Sequence, residues 1–267
     1  MVPGATGQEG PTGGRAPIPR APHPLLVAAV AQVFVSEPDA PVVDDTDVHH
    51  LLDVLRLRPG ESVIAADGAG RWVPCRIAPS APAKGSRRAD PAALLVPDGP
   101  AVVGPPSDPG VTVAFAPTKG DRPEWVVQKL TELGVDRIVP LRTSRSVVLW
   151  EGDRASRSLE RLRRVVREAA AQCRRADLPE VTAVCRLEEL ATVVGSAVAL
   201  ADAGGVAPGL DRPVLAVGPE GGWDPSERDR FGPTVGLGPH VLRAETAAVT
   251  AGALLCALRN GVVLPLA

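Results

Sequence analysis

The sequence of 267 residues has few aromatic residues, with four Trp, three Phe and no Tyr. Unpaired bases commonly stack on exposed aromatic rings, so stacking is not an obvious means of binding nucleic acid here. Only three lysines occur, and arginine therefore supplies nearly all of the positive charge. The formal net charge of -2 does not indicate a nucleic-acid binder, but such an average can hide a local basic patch.

Cysteines and long apolar runs are also sparse. The four cysteines (Cys75, Cys173, Cys185 and Cys256) have neither the spacing of a metal site nor the density of a disulfide framework. No apolar run approaches the ~18 residues of a membrane-spanning helix, and the N-terminus lacks the basic-then-apolar order of a signal peptide. We therefore expect a cytoplasmic protein without a metal site.

The composition that remains, 45% hydrophobic and 22% charged, is typical of a globular protein with room for two domains. Residues 1–24 are rich in Pro and Gly, and we predict a disordered extension because so little apolar surface cannot offset the ordering entropy. The pattern predicts a β-rich domain over residues 25–103 and a linker over 104–110. An α/β domain follows over residues 111–267.

The β-rich part has short strand patterns at 31–35, 62–66, 71–77 and 94–96, and a short helix at 49–57. Pro74 cannot donate a hydrogen bond, so we predict that its strand lies at a sheet edge. In the second part, strands at 111–116, 137–141, 146–149, 181–184, 197–201 and 214–217 alternate with helices at 121–133, 153–173, 187–192 and 244–260. Such alternation predicts a mainly parallel sheet with helices on both faces.

Two glycine-bearing turns stand near the C-terminal end. Gly218-Pro219-Glu220-Gly221-Gly222 follows the apolar run 214–217, and Val235-Gly236-Leu237-Gly238 precedes a helix start at Ala244. Neither turn is a P-loop or a dinucleotide fingerprint. They are either ordinary strand-to-helix turns or the walls of a pocket built from main-chain groups, which glycine allows to approach a ligand closely.

The order of these turns, GPEGG followed by LG-x-x-VLR-x-ET-A, resembles the ribosomal small subunit methyltransferase E family, within the knotted (SPOUT) class. The similarity spans residues 25–262. Its further matches are His50, Val54–Arg56, Pro59–Gly60, Lys119–Arg122, Gln128–Lys129, Glu132–Val135, Arg145–Val148, Gln172–Cys173 and Pro179–Glu180. Position 174 departs from it, because many members have glycine where this chain has Arg174; Ser144 and Ala176 also differ from the common pattern.

The resemblance implies a C-terminal trefoil-knotted domain, an N-terminal PUA-like β-barrel that binds RNA, and a homodimer. It implies methylation of N3 of a uridine in 16S ribosomal RNA with S-adenosylmethionine as cofactor. Two other functions stay open: a knotted methyltransferase acting on a ribose hydroxyl or another base, and an RNA-binding protein without catalysis. The implied cofactor residues are Leu200, Gly218, Glu220, Gly221, Gly222, Leu237, Gly238, Leu242, Arg243, Glu245 and Thr246.

The candidates for chemistry are two arginines, Arg145 and Arg243, which could stabilise the anion formed when N3 loses its proton. Of the histidines only His240 lies near the glycine turns, and we interpret it as a loop residue, so the proton acceptor is unidentified. Glu220 has an alternative role as a cap or an inter-loop hydrogen-bond partner. Arg243 has an alternative role as a residue of a dimer interface or as a structural residue.

The candidates for RNA contact are His50, Arg56, Arg142, Arg145, Arg164 and Arg174. In the predicted helix 153–173, the spacing of Arg154, Arg157, Arg161 and Arg164 places them on one face. That face is either a phosphate-binding surface or simply a solvated one.

Overall fold

The computed structural model describes residues 23–79 and 90–264 of the chain. Residues 1–22 of the predicted extension therefore lie outside the described residues. The N-terminal part consists of α1 (Pro24–Ala28), β1 (Ala31–Phe34), α2 (Asp45–His49) with a following π-helical turn (His50–Val54), β2 (Ser62–Ala66), β3 (Arg71–Ile77), β4 (Leu95–Pro97) and β5 (Val102–Val103). The helix predicted at 49–57 begins earlier, because the Asp44 carboxylate caps it by accepting from the Asp47 amide at 2.7 Å.

The strands of this part form one five-stranded sheet. β1 is parallel to β2, β2 is antiparallel to β3, and β3 pairs with both β4 and β5. Alternate residues of the strands, among them Val33, Val63 and Val73, pack with Leu51 of the π turn into a buried cluster. The β-rich domain predicted from the sequence is thus present.

The structure contradicts the predicted edge position of Pro74, since its strand β3 lies inside the sheet. On one side Pro74 faces Ile64 of β2, and on the other its carbonyl accepts from the Asp98 amide at 2.7 Å. Asp98 lies between β4 and β5, where no strand continues. The missing N–H of Pro74 therefore falls opposite a break in the partner strands, and no ladder hydrogen bond is lost.

The second part alternates strands and helices. It consists of β6 (Thr112–Phe115), α3 (Arg122–Leu133), β7 (Arg137–Arg142), α4 (Gly152–Cys173), β8 (Glu180–Val181), β9 (Cys185–Arg186), a 3-10 turn (Leu187–Glu189) leading into α5 (Leu190–Val194), β10 (Val198–Val206), β11 (Val214–Val217), α6 (Pro225–Phe231) and α7 (Ala244–Arg259). The strands pair in the order β10-β11-β6-β7-β8, with β9 also on β7, and every pair is parallel.

Both faces of this sheet are covered, as the sequence predicts. Val113 and Leu215 point to the face covered by α3, α4 and α7, whereas their neighbours Ala114 and Ala216 point to the face covered by α5 and Trp223. α7 lies so close to α3 that a Cβ on Gly252 would be 2.6 Å from Leu130 Cδ2. The strand order fits the knotted class, and the knot itself stays a prediction.

Two segments differ from their predicted form. Residues 146–149 are not a strand: the Ser146 hydroxyl accepts from the Thr143 amide at 2.9 Å, and this turn leaves Val147 71% exposed. β10 extends past its predicted end at Ala201, because Val206 donates to the Thr234 carbonyl and accepts from the Gly236 amide, each at 2.9 Å. Both differences involve residues that surround the glycine turns.

The two parts of the chain meet along α4 and the loop that follows it. The Arg167 guanidinium donates to the Phe34 carbonyl at 2.7 Å and lies 5.3 Å from the centre of the Phe34 ring. Gln32 donates to the Arg175 carbonyl at 2.6 Å. None of the helices within the described ranges is long and apolar enough to cross a membrane.

Candidate active site

A cavity of about 180 Å³ lies at the carboxyl ends of β10 and β11. Three segments surround it: the two predicted glycine turns with the start of α7, and residues 201–203 of β10. Its lining residues are Ala201, Asp202, Ala203, Val217, Gly218, Pro219, Glu220, Gly222, Trp223, Leu237, His240, Val241, Leu242, Ala244 and Ala247. In parallel α/β sheets, ligands bind at this end of the strands.

Trp223 joins two of these segments. Its indole Nε1 donates to the Ala201 carbonyl at 2.9 Å, and the side chain is buried with 3% exposure. The ring lies against Gly218, where an added Cβ would be 3.1 Å from Trp223 Cε2. Gly218 therefore allows this close packing, whereas Gly222 has a φ of +68°, a conformation that favours glycine.

The loop that contains Val235 is held by backbone contacts with the end of β10. A Cβ on Gly205 would lie 2.5 Å from the Thr234 carbonyl carbon, and one on Gly236 would lie 2.8 Å from the Gly205 carbonyl oxygen. Only glycine permits this approach on both sides. The contact fixes the position of Leu237, which lines the cavity.

Arg145 holds the first glycine turn in position through its side chain. Its Nη1 donates to the Gly221 carbonyl at 3.0 Å, and its Nη2 lies 3.6 Å from the Asp224 carboxylate. Asp224 caps α6 by accepting from the Ser226 hydroxyl and amide, and these hydrogen bonds, with the nearby Arg145, lower the pKa of its carboxyl. The carboxylate is therefore ionised at neutral pH and available to Arg145.

Glu220 and Glu245 share one cation. Arg122 Nη1 lies 4.0 Å from Glu220 Oε1 and 3.6 Å from Glu245 Oε1. The Glu245 side chain is 13% exposed, and its Oε2 is buried with no hydrogen-bond partner in the described structure. Glu220 is 54% exposed and makes none of the capping or inter-loop hydrogen bonds that the sequence allowed, within the part of the chain described.

The predicted cofactor residues fall into two groups. Gly218, Glu220, Gly222, Leu237 and Leu242 line the cavity. The others lie around it: Leu200 is buried in the sheet core, Arg243 and Thr246 are exposed, Glu245 is half-buried, and Gly221 and Gly238 belong to the loops without lining the cavity. Arg243 is the N-cap residue of α7.

Sequence reasoning does not name several of the lining residues, above all Trp223, and also His240 and Val241 of the second glycine-bearing loop. His240 lies in the loop, as the sequence predicts, and it also lines the cavity. Trp223 directly follows the GPEGG turn, and a large aromatic residue beside glycines is a signal that could have indicated a ring packed on the turn. For Val241, 93% exposed, the sequence contains no such signal.

Several predicted RNA residues gather in a groove of about 790 Å³ between β1, α2 and α4. His50, Arg164 and Arg174 line it together with Arg167 and Phe34. Arg56 is exposed with a φ of +57°, and Arg142 pairs with Glu151 at 2.6 Å. The groove therefore brings three of the predicted residues together, whereas Arg142 and Arg145 lie elsewhere.

Arg174 has a structural position within that groove. It ends α4 with a φ of +62°, and its guanidinium donates to the carbonyls of Ala29, Val30 and Ala171. Burial lowers the pKa of Arg174. The left-handed conformation explains why glycine suits this position in many members of the family that the sequence resembles.

The cysteines are free thiols, and three of them are buried. Burial raises the pKa of Cys75 to about 12 and that of Cys185 and Cys256 to about 11, so these thiols are protonated and unreactive at neutral pH. The described residues contain no cluster of His, Cys, Asp and Glu that could hold a metal ion.

Comparison with known proteins places this architecture, a parallel sheet with a glycine-walled cavity and an accompanying β-rich sheet, among the RNA methyltransferases. Residues 106–256 match the model of the RNA methyltransferase domain, and residues 43–81 match that of the RNA methyltransferase PUA domain. The chain belongs to the ribosomal RNA small subunit methyltransferase E family.

Named members support this assignment. The enzyme of that name from Mycobacterium bovis is 36% identical over an alignment of 234 residues that covers 79% of this chain and 83% of that protein. The one from Bacillus subtilis is 29% identical over 75% of this chain and 83% of its own length. The crystal structure of the family member from Neisseria gonorrhoeae, bound to S-adenosyl methionine, has a TM-score of 0.68 and 26% identity, and the match covers 84% of this chain and 95% of that one.

Proposed function

We propose that this chain transfers a methyl group from S-adenosylmethionine to N3 of a specific uridine in 16S ribosomal RNA of the small subunit. The observation that carries the proposal is the cavity that the two glycine turns build with β10 at the carboxyl end of β11. The proposal includes a division of labour, with residues 25–103 binding RNA and residues 111–267 carrying the reaction, and it places the protein in the cytoplasm.

The lining of the cavity fits S-adenosylmethionine. Leu237, Leu242 and Val217 provide apolar walls suited to the adenine ring, and the main chain of the loops provides hydrogen-bonding groups for the ribose and the amino-acid part. Asp202 and Glu220 add two carboxylates to the lining, and negative charge there favours a ligand that carries a sulfonium and an ammonium. Trp223 and Arg145 hold the loops in position and so pre-organise the site.

S-adenosylmethionine supplies a methyl group that is already activated by its sulfonium. The work of the chain is therefore to place N3 in line with that methyl and to favour loss of the N3 proton. Arg145 is engaged with Gly221 and Asp224, so it acts through the loop that it positions. Arg243 is exposed at the start of α7, from which its guanidinium can reach RNA phosphate.

A homodimer belongs to the proposal. α7 buries Ala248, Gly252 and Leu255 against the sheet, while a second apolar row remains half-exposed, consisting of Val249, Ala253, Leu254, Ala257 and Leu258. Val241 beside the cavity and Val262 and Val263 after α7 add exposed apolar surface. A second copy of the chain that covers this row would bury apolar surface that is otherwise in water. Sedimentation at micromolar concentration tests it, and a monomer would overturn it.

The direct test of function is methylation of small ribosomal subunits from a strain that lacks this activity. The purified protein, S-adenosylmethionine and the subunits are incubated, and the nucleosides are identified by mass spectrometry. We expect 3-methyluridine. A ribose-methylated or differently methylated nucleoside would keep the enzyme class and change the target, and cofactor binding without transfer to any nucleoside would contradict the proposal.

A further inference from the structure

A second cavity, of about 580 Å³, lies beside the cofactor cavity. Residues 117–122, at and before the start of α3, form one wall, and Val147 and Val148 form another. Pro219 and Glu220 line both cavities, so the two adjoin at this part of the GPEGG turn. A group in the second cavity therefore lies next to a ligand in the first.

We propose that this second cavity receives the base of the target uridine, with Lys119 stabilising the N3 anion and Glu220 accepting the N3 proton. This inference rests on the proposed function and assigns the substrate side of the same site. Methyl transfer requires the nucleophile to approach the methyl carbon in line with the bond that breaks. A base bound here adjoins the cofactor cavity at Pro219 and Glu220.

The lining of the cavity combines an apolar wall with charged groups, as a uracil base requires. Val147 and Val148 present an apolar wall, and Val147 is 71% exposed in the absence of RNA. The turn at Thr143 and Ser146 produces this exposure, since it keeps residues 146–149 out of the sheet. A flipped-out base would cover Val147 and remove apolar surface from water.

Lys119 is the cation of this cavity that is left without a partner. Within the described residues it makes no hydrogen bond and no ion pair. Arg122, the other cation lining the cavity, is shared between Glu220 at 4.0 Å and Glu245 at 3.6 Å, so its charge is already compensated. An ammonium free to approach a carbonyl oxygen of the uracil lowers the free energy of the N3 anion, whose charge spreads onto both carbonyls.

Glu220 is the carboxylate common to both cavities. Its one ion-pair partner among the described residues is Arg122, and it makes no hydrogen bond there. In the proposed step, the N3–H bond breaks and its proton goes to the Glu220 carboxylate. The N3 electron pair forms a bond to the methyl carbon, the carbon–sulfur bond breaks, and its electrons remain on sulfur as the neutral thioether. Glu220 then releases the proton to solvent, to which it is 54% exposed.

The test compares Lys119→Met with Lys129→Met in the full-length protein. Both changes replace the ammonium with an apolar group of similar length, but Lys129 pairs with Glu132 on α3 at 2.9 Å and lines neither cavity. We expect K119M to lower kcat roughly 100-fold, the size expected for losing one pre-organised charge at the reacting group. The dissociation constant of S-adenosylmethionine should stay within twofold of wild type, and K129M should retain wild-type kcat.

The pH profile separates a role at the anion from a structural one. Without the cation the bound uracil releases its N3 proton less readily, so the rate ratio of wild type to K119M should be largest near pH 6 and shrink toward pH 9. Lys119→Arg, which keeps the charge, should recover part of the rate. A loss that is equal at every pH, or full activity in K119M, would overturn the inference.

The outcomes also separate this inference from the proposed function. If wild type forms 3-methyluridine and K119M does so at the wild-type rate, the proposed function stands and the second cavity is not the uracil site. If wild type binds S-adenosylmethionine but forms no 3-methyluridine, both fall.

Discussion

The Arg145 guanidinium donates a hydrogen bond to the Gly221 carbonyl at 3.0 Å, and thereby connects the turn after β7 to the GPEGG turn after β11. The two residues are 76 positions apart in the sequence. An arginine in a family motif beside the cavity suggests direct chemistry, but here the side chain is committed to a main-chain carbonyl and to Asp224. Its contribution is to hold the loop that shapes the cavity.

Replacement of Arg145 by alanine should therefore weaken cofactor binding. Hydrogen bonds to charged groups contribute about 1.5–3 kcal/mol, and solvent screening at a side chain that is 46% exposed reduces this to about 1 kcal/mol, or about fivefold in Kd. Calorimetric titration with S-adenosylmethionine measures it. Arg142→Ala, which removes a pairing with Glu151 at the end of β7, is the control and should leave Kd unchanged. Equal Kd values for R145A and wild type would remove Arg145 from the site.

The glycines of the GPEGG turn should differ in their tolerance of alanine. At Gly218 the new Cβ would lie 3.1 Å from the Trp223 ring, which is buried and hydrogen-bonded to Ala201 and so has little freedom to move. At Gly221 the nearest atom, Arg145 Cβ, is 3.5 Å away, an ordinary contact. We expect Gly218→Ala to cost about 1–3 kcal/mol in urea unfolding and to weaken cofactor binding.

Gly221→Ala is the matched variant of the same turn, with the same added methyl group. It should unfold and bind like wild type, since the structure has room for its Cβ. If the two variants behave alike, the packing of Trp223 on Gly218 does not set the shape of the cavity.

The elements that sequence patterns predicted well are those stabilised by local rules. β2 and β3 have their predicted bounds, and α3 ends at Gly134, whose φ of +91° is the left-handed C-cap that the glycine indicates. Short-range periodicity and capping are visible along the chain, so these features need no knowledge of distant residues.

The features that were missed depend on contacts between distant segments. β10 continues to Val206 because Gly205 approaches Thr234, and residues 146–149 leave the sheet although their apolar run is typical of a strand. The motif identifies the two glycine turns, but no local pattern indicates the hydrogen bond from Trp223 to Ala201 that holds them in position. Partners so far apart in sequence leave no local pattern.

The role of Arg174 also depends on contacts with a distant segment of the chain. It is the C-cap of α4 with a φ of +62°, which costs a residue with a Cβ about 1–2 kcal/mol, and its side chain bonds to the carbonyls of Ala29, Val30 and Ala171. Arg174→Ala loses the hydrogen bonds and keeps the strain, whereas Arg174→Gly loses the hydrogen bonds and relieves it. We expect R174A to be less stable than R174G by about 1 kcal/mol, and both to be less stable than wild type.

Urea unfolding followed by tryptophan fluorescence measures these differences. Arg164→Ala is the control, because Arg164 lines the same groove, is exposed and makes no hydrogen bond or ion pair within the described residues. Its unfolding free energy should match wild type. R174A with wild-type stability would return Arg174 to the set of residues available for RNA.

The exposed arginines of α4 provide the test of RNA binding. Arg154, Arg157 and Arg164 are exposed and unpaired within the described ranges, whereas Arg161 of the same row pairs with Glu124. Three phosphate contacts to single-stranded RNA contribute about 2 to the slope of log K against log salt. Replacing the three unpaired arginines with glutamine should therefore weaken binding at low salt and reduce that slope by about 2.

The control must change net charge equally at another surface. Arg186, Arg212 and Arg230 lie outside α4 and line neither the groove nor the two cavities, so their triple replacement by glutamine serves this purpose. Filter binding of a small-subunit RNA fragment over a salt series gives both slopes. α4 also borders the groove that contains His50 and Arg167. A slope that is reduced only in the α4 variant would therefore place the RNA path along this helix and into the groove. Equal slopes for the two variants would make the arginine row a solvated face, with only a general charge effect on RNA.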